Sequence, residues 1–303
     1  MLTRVTKTLK IIFTYEDKMA NFGSVQLRAF QVAQALKKHI SLEVKPLSAC
    51  YQVKNSLIIL VKLRNYTKLR RLTGRNNTLV LDILDTINLL DQPSTIFQKI
   101  TGTTIKSLFK QVDAGIFCSD KTQQAYQHYF KHPNLCQTIY HHWDSRFNRS
   151  PKPNFDQIKM AYFGLPRKAY LADKLSGIDF HDLRSYNDIK SGLFDQYNAH
   201  YIVKPDKAYY QYEPLTKIAT AAFAQSPVIA KKDHEQELLT KDYPYYISGM
   251  TKHDILSAID KMQQTYQDKE WHEATAIMED VYVRTSLQRI AQDYLKFINQ
   301  FTI

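Results

Sequence analysis

Short apolar runs alternate with longer stretches in which apolar residues recur every three or four positions. Lys10 to Tyr15 is the first run, and Leu42 to Leu47, Leu57 to Val61, Thr78 to Leu84, Ala114 to Cys118 and Gln137 to His141 continue the series. Between the first two, Ser24 to Lys38 places Val25, Leu27, Phe30, Val32, Ala33 and Leu36 close to a helical period. Ser119 is a good N-cap for a helix starting near Asp120. Strand signals separated by helical ones predict a parallel sheet covered on both faces.

Trp143 to Gln157 interrupts the alternation with prolines and asparagines and no apolar period, and reads as a linker. A second series follows at Lys159 to Phe163, Gly177 to Phe180, His200 to Val203 and Pro227 to Ala230, with a small-residue helix over Ile218 to Ala224. Lys252 to Met262 and Trp271 to Phe301 read as helical throughout. The expected fold class is therefore α/β, with two doubly wound, Rossmann-like domains over residues 1–150 and 151–303. In such a fold the carboxyl ends of both sets of strands are expected to face a shared cleft. No repeat of solenoid period and no low-complexity tract is visible.

Composition narrows the function classes. The chain has 303 residues, 44% of them hydrophobic, and no apolar run approaches a spanning helix. The basic start, MLTRVTKTLKIIFTYED, reads as a first strand and not as a signal peptide. Cys50, Cys118 and Cys136 lie far apart without metal-ligand spacing, which points to a reducing, cytoplasmic setting. A net charge of +12 favours an anionic partner. Its densest run, Lys62 to Arg75, reads as a solvated helix face from about Tyr66, as a contact for an anionic membrane surface, or as a nucleic-acid patch. No zinc-finger, helix-turn-helix or RNA-recognition signature supports a specific nucleic-acid partner.

The segment Tyr212 to Lys231 carries the most chemistry. Glu213, Pro214, Thr216 and Lys217 lead into the small-residue helix, and a short turn returns the chain to the strand Pro227 to Ala230. Polar and cationic groups at a helix N-terminus backed by a strand suit an anionic ligand, above all a phosphate. His141, His142 and Asp144 do not make a metal site, because adjacent histidines on a strand point to opposite sides.

In order along the chain, several short motifs resemble those of GT-B glycosyltransferases, among them the family-4-like group. They are Asn21-Phe22-Gly23-Ser24 before an amphipathic helix, Asp82 to Thr86 at a strand end, Ala114 to Ser119, Ile139 to Phe147, Met160 to Gly164, and Glu213 to Ala230. The family's pair of glutamates eight apart would fall on Tyr212 and Thr220, with Glu213 beside the first.

The resemblance implies a glycosyltransferase that moves a sugar from a nucleotide sugar to a cell-surface glycan or lipid-linked acceptor. It implies no cofactor and no metal, the nucleotide sugar being a co-substrate. Donor-binding residues would be Gly164, Arg167, Lys168, Lys204, Glu213, Thr216 and Lys217, with the cations facing the diphosphate leaving group. Asp85 and Asp17 would be the catalytic carboxylates of an inverting site, whereas a retaining site would work by leaving-group stabilisation without a conspicuous base, and Gly23, Ser24 and His142 would face the acceptor. The setting would be cytoplasmic, peripheral on the inner face of the plasma membrane. Thr220 in place of a glutamate keeps open a catalytically silent GT-B binding or scaffold protein, and charge alone keeps open a nucleic-acid binder.

Overall fold

The computed structural model describes residues 9–63, 65–84, 105–183, 186–207 and 210–301, the side chains of 66, 105, 106, 186 and 211 excepted. It divides into two compact units, Met1–Ile139 with Ile290–Ile303, and Tyr140–Arg289.

The first unit is built on a six-stranded parallel sheet. Its strands are β1 (Lys10–Tyr15), β2 (Leu42–Pro46), β3 (Ser56–Val61), β4 (Thr78–Ile83), β5 (Ala114–Phe117) and β6 (Gln137–Thr138), in the order β2-β1-β3-β4-β5-β6. Every residue of β3 is buried, as befits a central strand covered on both faces. Helix α1 follows β1 and runs as Gly23–Val25, a π-helical stretch Gln26–Gln31, and Val32–Leu36. Later in the unit come α2 (Ile105–Phe109) and α3 (Asp120–Tyr126), the latter capped as expected by the Ser119 hydroxyl, which accepts from the Thr122 amide. The basic stretch near Tyr66 is a 3-10 turn, Tyr66–Arg71, started by the Asn65 side chain.

Arg28 interrupts the apolar stripe of α1 and is fully buried. Its Nε and Nη2 donate to the two Asp82 oxygens at 3.1 and 2.9 Å, and its Nη1 donates to the Ile139 carbonyl at 3.0 Å. Tyr294 donates to Asp82 from the final helix, and its ring lies 5.0 Å from the guanidinium carbon. Burial opposes the Arg28 charge, but Asp82 outweighs it and holds the guanidinium protonated. Asp82 is therefore a structural residue that ties β4 to α1.

The second unit carries a five-stranded parallel sheet. Strands β7 (Met160–Phe163), β8 (Ile178–His181), β9 (Ala199–Tyr201), β10 (Val228–Lys231) and β11 (Tyr246–Ile247) lie in the order β11-β10-β9-β7-β8. Helix α4 (Thr216–Phe223) connects β9 to β10, and α5 (Gln236–Leu239) connects β10 to β11. Helices α6 (Lys252–Gln264) and α7 (Lys269–Arg284) follow, the first opened by a Thr251/Asp254 capping box. The last helix, α8, spans Leu287–Asn299.

Two sequence expectations change here. The C-terminal stretch is not one helix: α7 ends at Thr285, whose hydroxyl turns back to the Val281 carbonyl, and residues from Ile290 belong to the first unit rather than to 151–303. The stretch 143–157 has no regular structure, yet it is pinned to the second unit. Trp143 stacks on Phe223 and Tyr282, with ring centroids 4.7 and 5.5 Å away. Arg149 pairs with Glu279 and lies over the Tyr282 ring. Lys152 donates to the Tyr197 and Ala224 carbonyls and to Ser226 Oγ. Polar spacing suggested a free linker, but the anchoring side chains are spread too irregularly to give a period.

Counted from its own first strand, each sheet has the order 2-1-3-4-5, extended by β6 in the first unit. The chain reverses direction across the sheet between β1 and β3, and again between β7 and β9. At such switch points the two flanking loops part and leave a crevice at the strand carboxyl ends.

Candidate functional site

The β7/β9 switch point gathers most of the expected donor residues. Strand β7 delivers Phe163 and then Gly164, whose φ of 134° lies where only glycine is comfortable. A Cβ there would meet Lys217 Nζ at 2.6 Å, so the absence of a side chain is what admits the lysine. Lys217, in the first turn of α4, donates to the Phe163 carbonyl and sits 4.1 Å from the Tyr162 ring centroid. Thr216 begins the same helix, and the N-cap residue Leu215 supplies no side-chain acceptor to its first amides.

Glu213 stands between two more lysines. Its Oε1 accepts from Lys168 Nζ at 2.9 Å, and its Oε2 accepts from Lys204 Nζ at 2.8 Å. Lys168 follows β7 in the turn Pro166–Lys168, and Lys204 follows β9. Two lysines therefore pair with one carboxylate while a third, Lys217, lies within its electrostatic reach, leaving excess positive charge at the strand ends. Burial would raise the Glu213 carboxyl, but Lys204 and Lys168 hold it below its ordinary value. Lys217 is half-buried as a residue, but its ammonium end is enclosed. Burial first, then repulsion from Lys204 and Lys168, pushes it down to about 7 despite the attraction of Glu213. A doubly charged anion beside these lysines would restore the full charge of Lys217.

Two recesses border the cluster, on opposite sides along the sheet. Leu165, Pro166, Arg167 and Asp182 line one at the ends of β7 and β8, with roughly 800 Å³ of space counted out to open solvent. The other, roughly 420 Å³ on the same count, lies at the ends of β9 and β10, with Lys204, Tyr210, Lys231, His234 and Glu235 in its walls. Arg167 is exposed in the first recess and does not touch Glu213.

The remaining expectations fall elsewhere. Asp17 is exposed just past β1, and its Oδ1 accepts from the Ser48 amide and hydroxyl. The Ser48 hydroxyl bond is the main cause that holds this carboxyl below its ordinary value. Its neighbour Glu16 pairs with Lys68 at 2.5 Å and accepts from the Asn65 amide. Gly23 and Ser24 form the first turn of α1, and His142 is fully buried in the segment that opens the second unit. Asp85 lies outside the described residues. The Thr220 hydroxyl donates to the Thr216 carbonyl at 2.9 Å, one turn back in α4. Among the described residues, no group of three or more His, Cys, Asp or Glu side chains is placed to hold a metal ion.

Sequence reasoning missed Tyr162, His234 and Glu235. Tyr162 is hidden in an ordinary apolar strand, and twenty tyrosines along the chain gave it no prominence. His234 and Glu235 follow β10 by a few residues, the one signal that could have found them.

No family model matches the chain, and no curated protein matches it. Solved structures do. A glycosyltransferase from Rickettsia africae superposes with a TM-score of 0.66 at 9% identity, covering 96% of this chain and 98% of its own. The lipopolysaccharide outer core galactosyltransferase WaaB, in its apo form, gives 0.64 at 7%, covering 97% and 100%. Anabaena HepE in complex with UDP and glucose gives 0.61 at 12%, covering 96% and 100%. At these identities the likeness is one of architecture, and it extends over nearly the whole of each chain: this protein has the GT-B fold of the glycosyltransferases.

Proposed function

We propose that the protein is a glycosyltransferase that takes a sugar from a nucleotide sugar and passes it to a glycan or lipid-linked acceptor without a metal ion. The observation that carries the reading is the convergence of Lys168, Lys204 and Lys217 at the β7/β9 switch point, where Gly164 admits the buried lysine. In the reaction the bond from the anomeric carbon to the diphosphate oxygen breaks, and its electron pair leaves with the diphosphate. The acceptor oxygen forms the new bond, and its proton passes to the departing diphosphate oxygen or to solvent. Negative charge develops on the departing phosphate, and cations already fixed in place stabilise it without reorganisation. Lys217 and Lys204 supply that charge, Lys168 closes it from the β7 side, and the first amides of α4 at Thr216 add to it. Glu213 keeps two of the lysines in position and so prevents them from repelling each other apart.

HepE bound to UDP and glucose, and a pneumococcal O-GlcNAc transferase bound to UDP and GlcNAc, support a nucleotide-sugar donor. The acceptor class rests on charge: Arg70 is exposed on the basic 3-10 turn of the first unit, and it suits an anionic lipid surface at the inner face of a plasma membrane. Among the described residues no helix is long and apolar enough to cross a membrane.

A second reading, a silent GT-B scaffold, is favoured by Thr220, whose hydroxyl is taken up by its own helix. Incubation with a panel of nucleotide sugars separates the two. Release of nucleoside diphosphate above the uncatalysed rate, lost in Lys217→Ala, is expected of the enzyme. Tight donor binding with no release would establish the scaffold.

A further inference from the structure

We propose that Lys152 is a positioning residue for the donor site: through it the stretch 143–157 grips the carboxyl end of α4 and so fixes the place of the Lys217 end. This role rests on the donor reading above, and it lies at the far end of the helix from the ligand.

The amino end of α4 carries Thr216 and Lys217, and Lys217 ties that end to β7 through the Phe163 carbonyl. The buried residues of the helix include Ala219, Ala221 and Ala222. Such short side chains interlock only shallowly with the surface they pack on. The position of the helix along its own axis therefore depends on what holds its ends. At the carboxyl end that is the irregular stretch 143–157. Trp143 stacks on Phe223, the last residue of the helix, with ring centroids 4.7 Å apart. Arg149 Nη2 donates to the Ala222 carbonyl at 3.5 Å, and Gln225 Nε2 donates to the Ser150 carbonyl at 2.9 Å.

Lys152 is the centre of this grip. It donates to the Ala224 carbonyl, to Ser226 Oγ at 2.7 Å, and to the Tyr197 carbonyl just ahead of β9. An ammonium has three protons to donate, and these acceptors take one each. A cation also suits the carboxyl end of a helix, where the last carbonyls leave negative charge. The turn itself is a Schellman motif: the Ser226 and Gln225 amides donate to the Ala221 and Ala222 carbonyls at 2.9 and 3.0 Å. That pattern leaves the Ala224 carbonyl to Lys152. Its left-handed position, with φ of 53°, holds Gln225 where glycine is usual, and it is the glutamine side chain that reaches Ser150. The two ends of one helix are thermodynamically linked. Whatever factor the grip adds to phosphate affinity, bound phosphate adds to the grip.

The test is titration calorimetry with UDP and GDP below pH 7, where the Lys152 ammonium is charged. Lys152→Met is expected to bind the diphosphate about fivefold more weakly or worse. Asp254→Ala, which removes the capping box of α6 in the same unit, controls for lost stability and is expected to bind within about twofold of the unmutated protein. A smaller loss in Lys152→Met, or an equal loss in Asp254→Ala, overturns the proposal. If Lys152→Met does not fold, the reciprocal effect in the unmutated protein decides. Trypsin can cut after Arg149 only when that side chain leaves Glu279, so the cut reports release of the stretch, whereas a cut after Lys261, within α6, reports general unfolding. Saturating diphosphate is expected to slow the Arg149 cut by about fivefold or more beyond any slowing at Lys261. Equal slowing at both overturns the proposal. If the unmutated protein binds neither diphosphate, the donor reading itself fails. If it binds one and Lys152→Met binds it as well, the positioning role alone fails.

Discussion

Lys217→Met keeps the length of the side chain and its packing over Tyr162 while removing the ammonium. The charge of Lys217 is suppressed by burial and by two neighbouring lysines, from its ordinary 10.5 to about 7. In the unfolded chain the group titrates near 10.5. Between pH 7 and that value the unfolded state therefore binds more protons than the folded one, and stability rises with pH. The slope approaches 1.36 kcal/mol per pH unit once Lys217 is neutral in the fold, so the gain from pH 7 to 9 is about 2 kcal/mol. Lys152, pushed down to about 7 by burial, with Arg149 repelling it and Asp195 partly offsetting, contributes a similar rise of about 2 kcal/mol. Lys217→Met should remove about half of the combined increase and leave the Lys152 half intact. Urea unfolding followed by tryptophan fluorescence reads this well, because Trp143 and Trp271 both lie in the second unit. The variant is expected to be more stable than the unmutated protein at pH 7, with the gap shrinking by about 2 kcal/mol at pH 9. A gap that stays constant over this range would refute the assignment of a suppressed charge to Lys217.

Other consequences follow from the same geometry. Binding of a nucleoside diphosphate at pH 8 should take up a proton as Lys217 recovers its charge, measured by calorimetry in buffers of different ionisation enthalpy, and Lys217→Met should abolish the uptake. Gly164→Ala combines a positive φ with a Cβ 2.6 Å from Lys217 Nζ. It should destabilise the second unit by about 1–3 kcal/mol and weaken diphosphate binding, read by the same titrations. In the first unit, Asp82→Asn should cost about 3–5 kcal/mol in chemical unfolding, because it strands the buried Arg28 charge, while the double replacement Arg28→Met with Asp82→Leu should be much milder.

Much of the fold was legible because parallel strands buried on both faces write themselves as apolar runs. β3 and β10 are such runs, and the sequence places both close to their observed bounds. What was not legible depends on long-range partners. Arg28 looks like a polar break in an amphipathic helix until Asp82 and Tyr294 are brought against it. The end of α7 rests on a threonine that bonds within its own helix, and helix propensity gives no warning of it. In the candidate site, motif order points to Gly164 and Lys217, but their mutual dependence is a contact across 53 residues of chain that only packing creates. His234 and Glu235 carried no signal beyond their place just after β10, because their burial without hydrogen-bond partners is a product of packing.

The central claim is that the three lysines at the β7/β9 switch point hold the donor's diphosphate. A crystal structure of the protein with a bound nucleoside diphosphate tests it most directly. The expected result places phosphate oxygens within hydrogen-bond reach of the Lys217 and Lys204 ammonium groups, with the nucleoside turned toward Leu165 and Arg167. A diphosphate bound away from these lysines would contradict the claim.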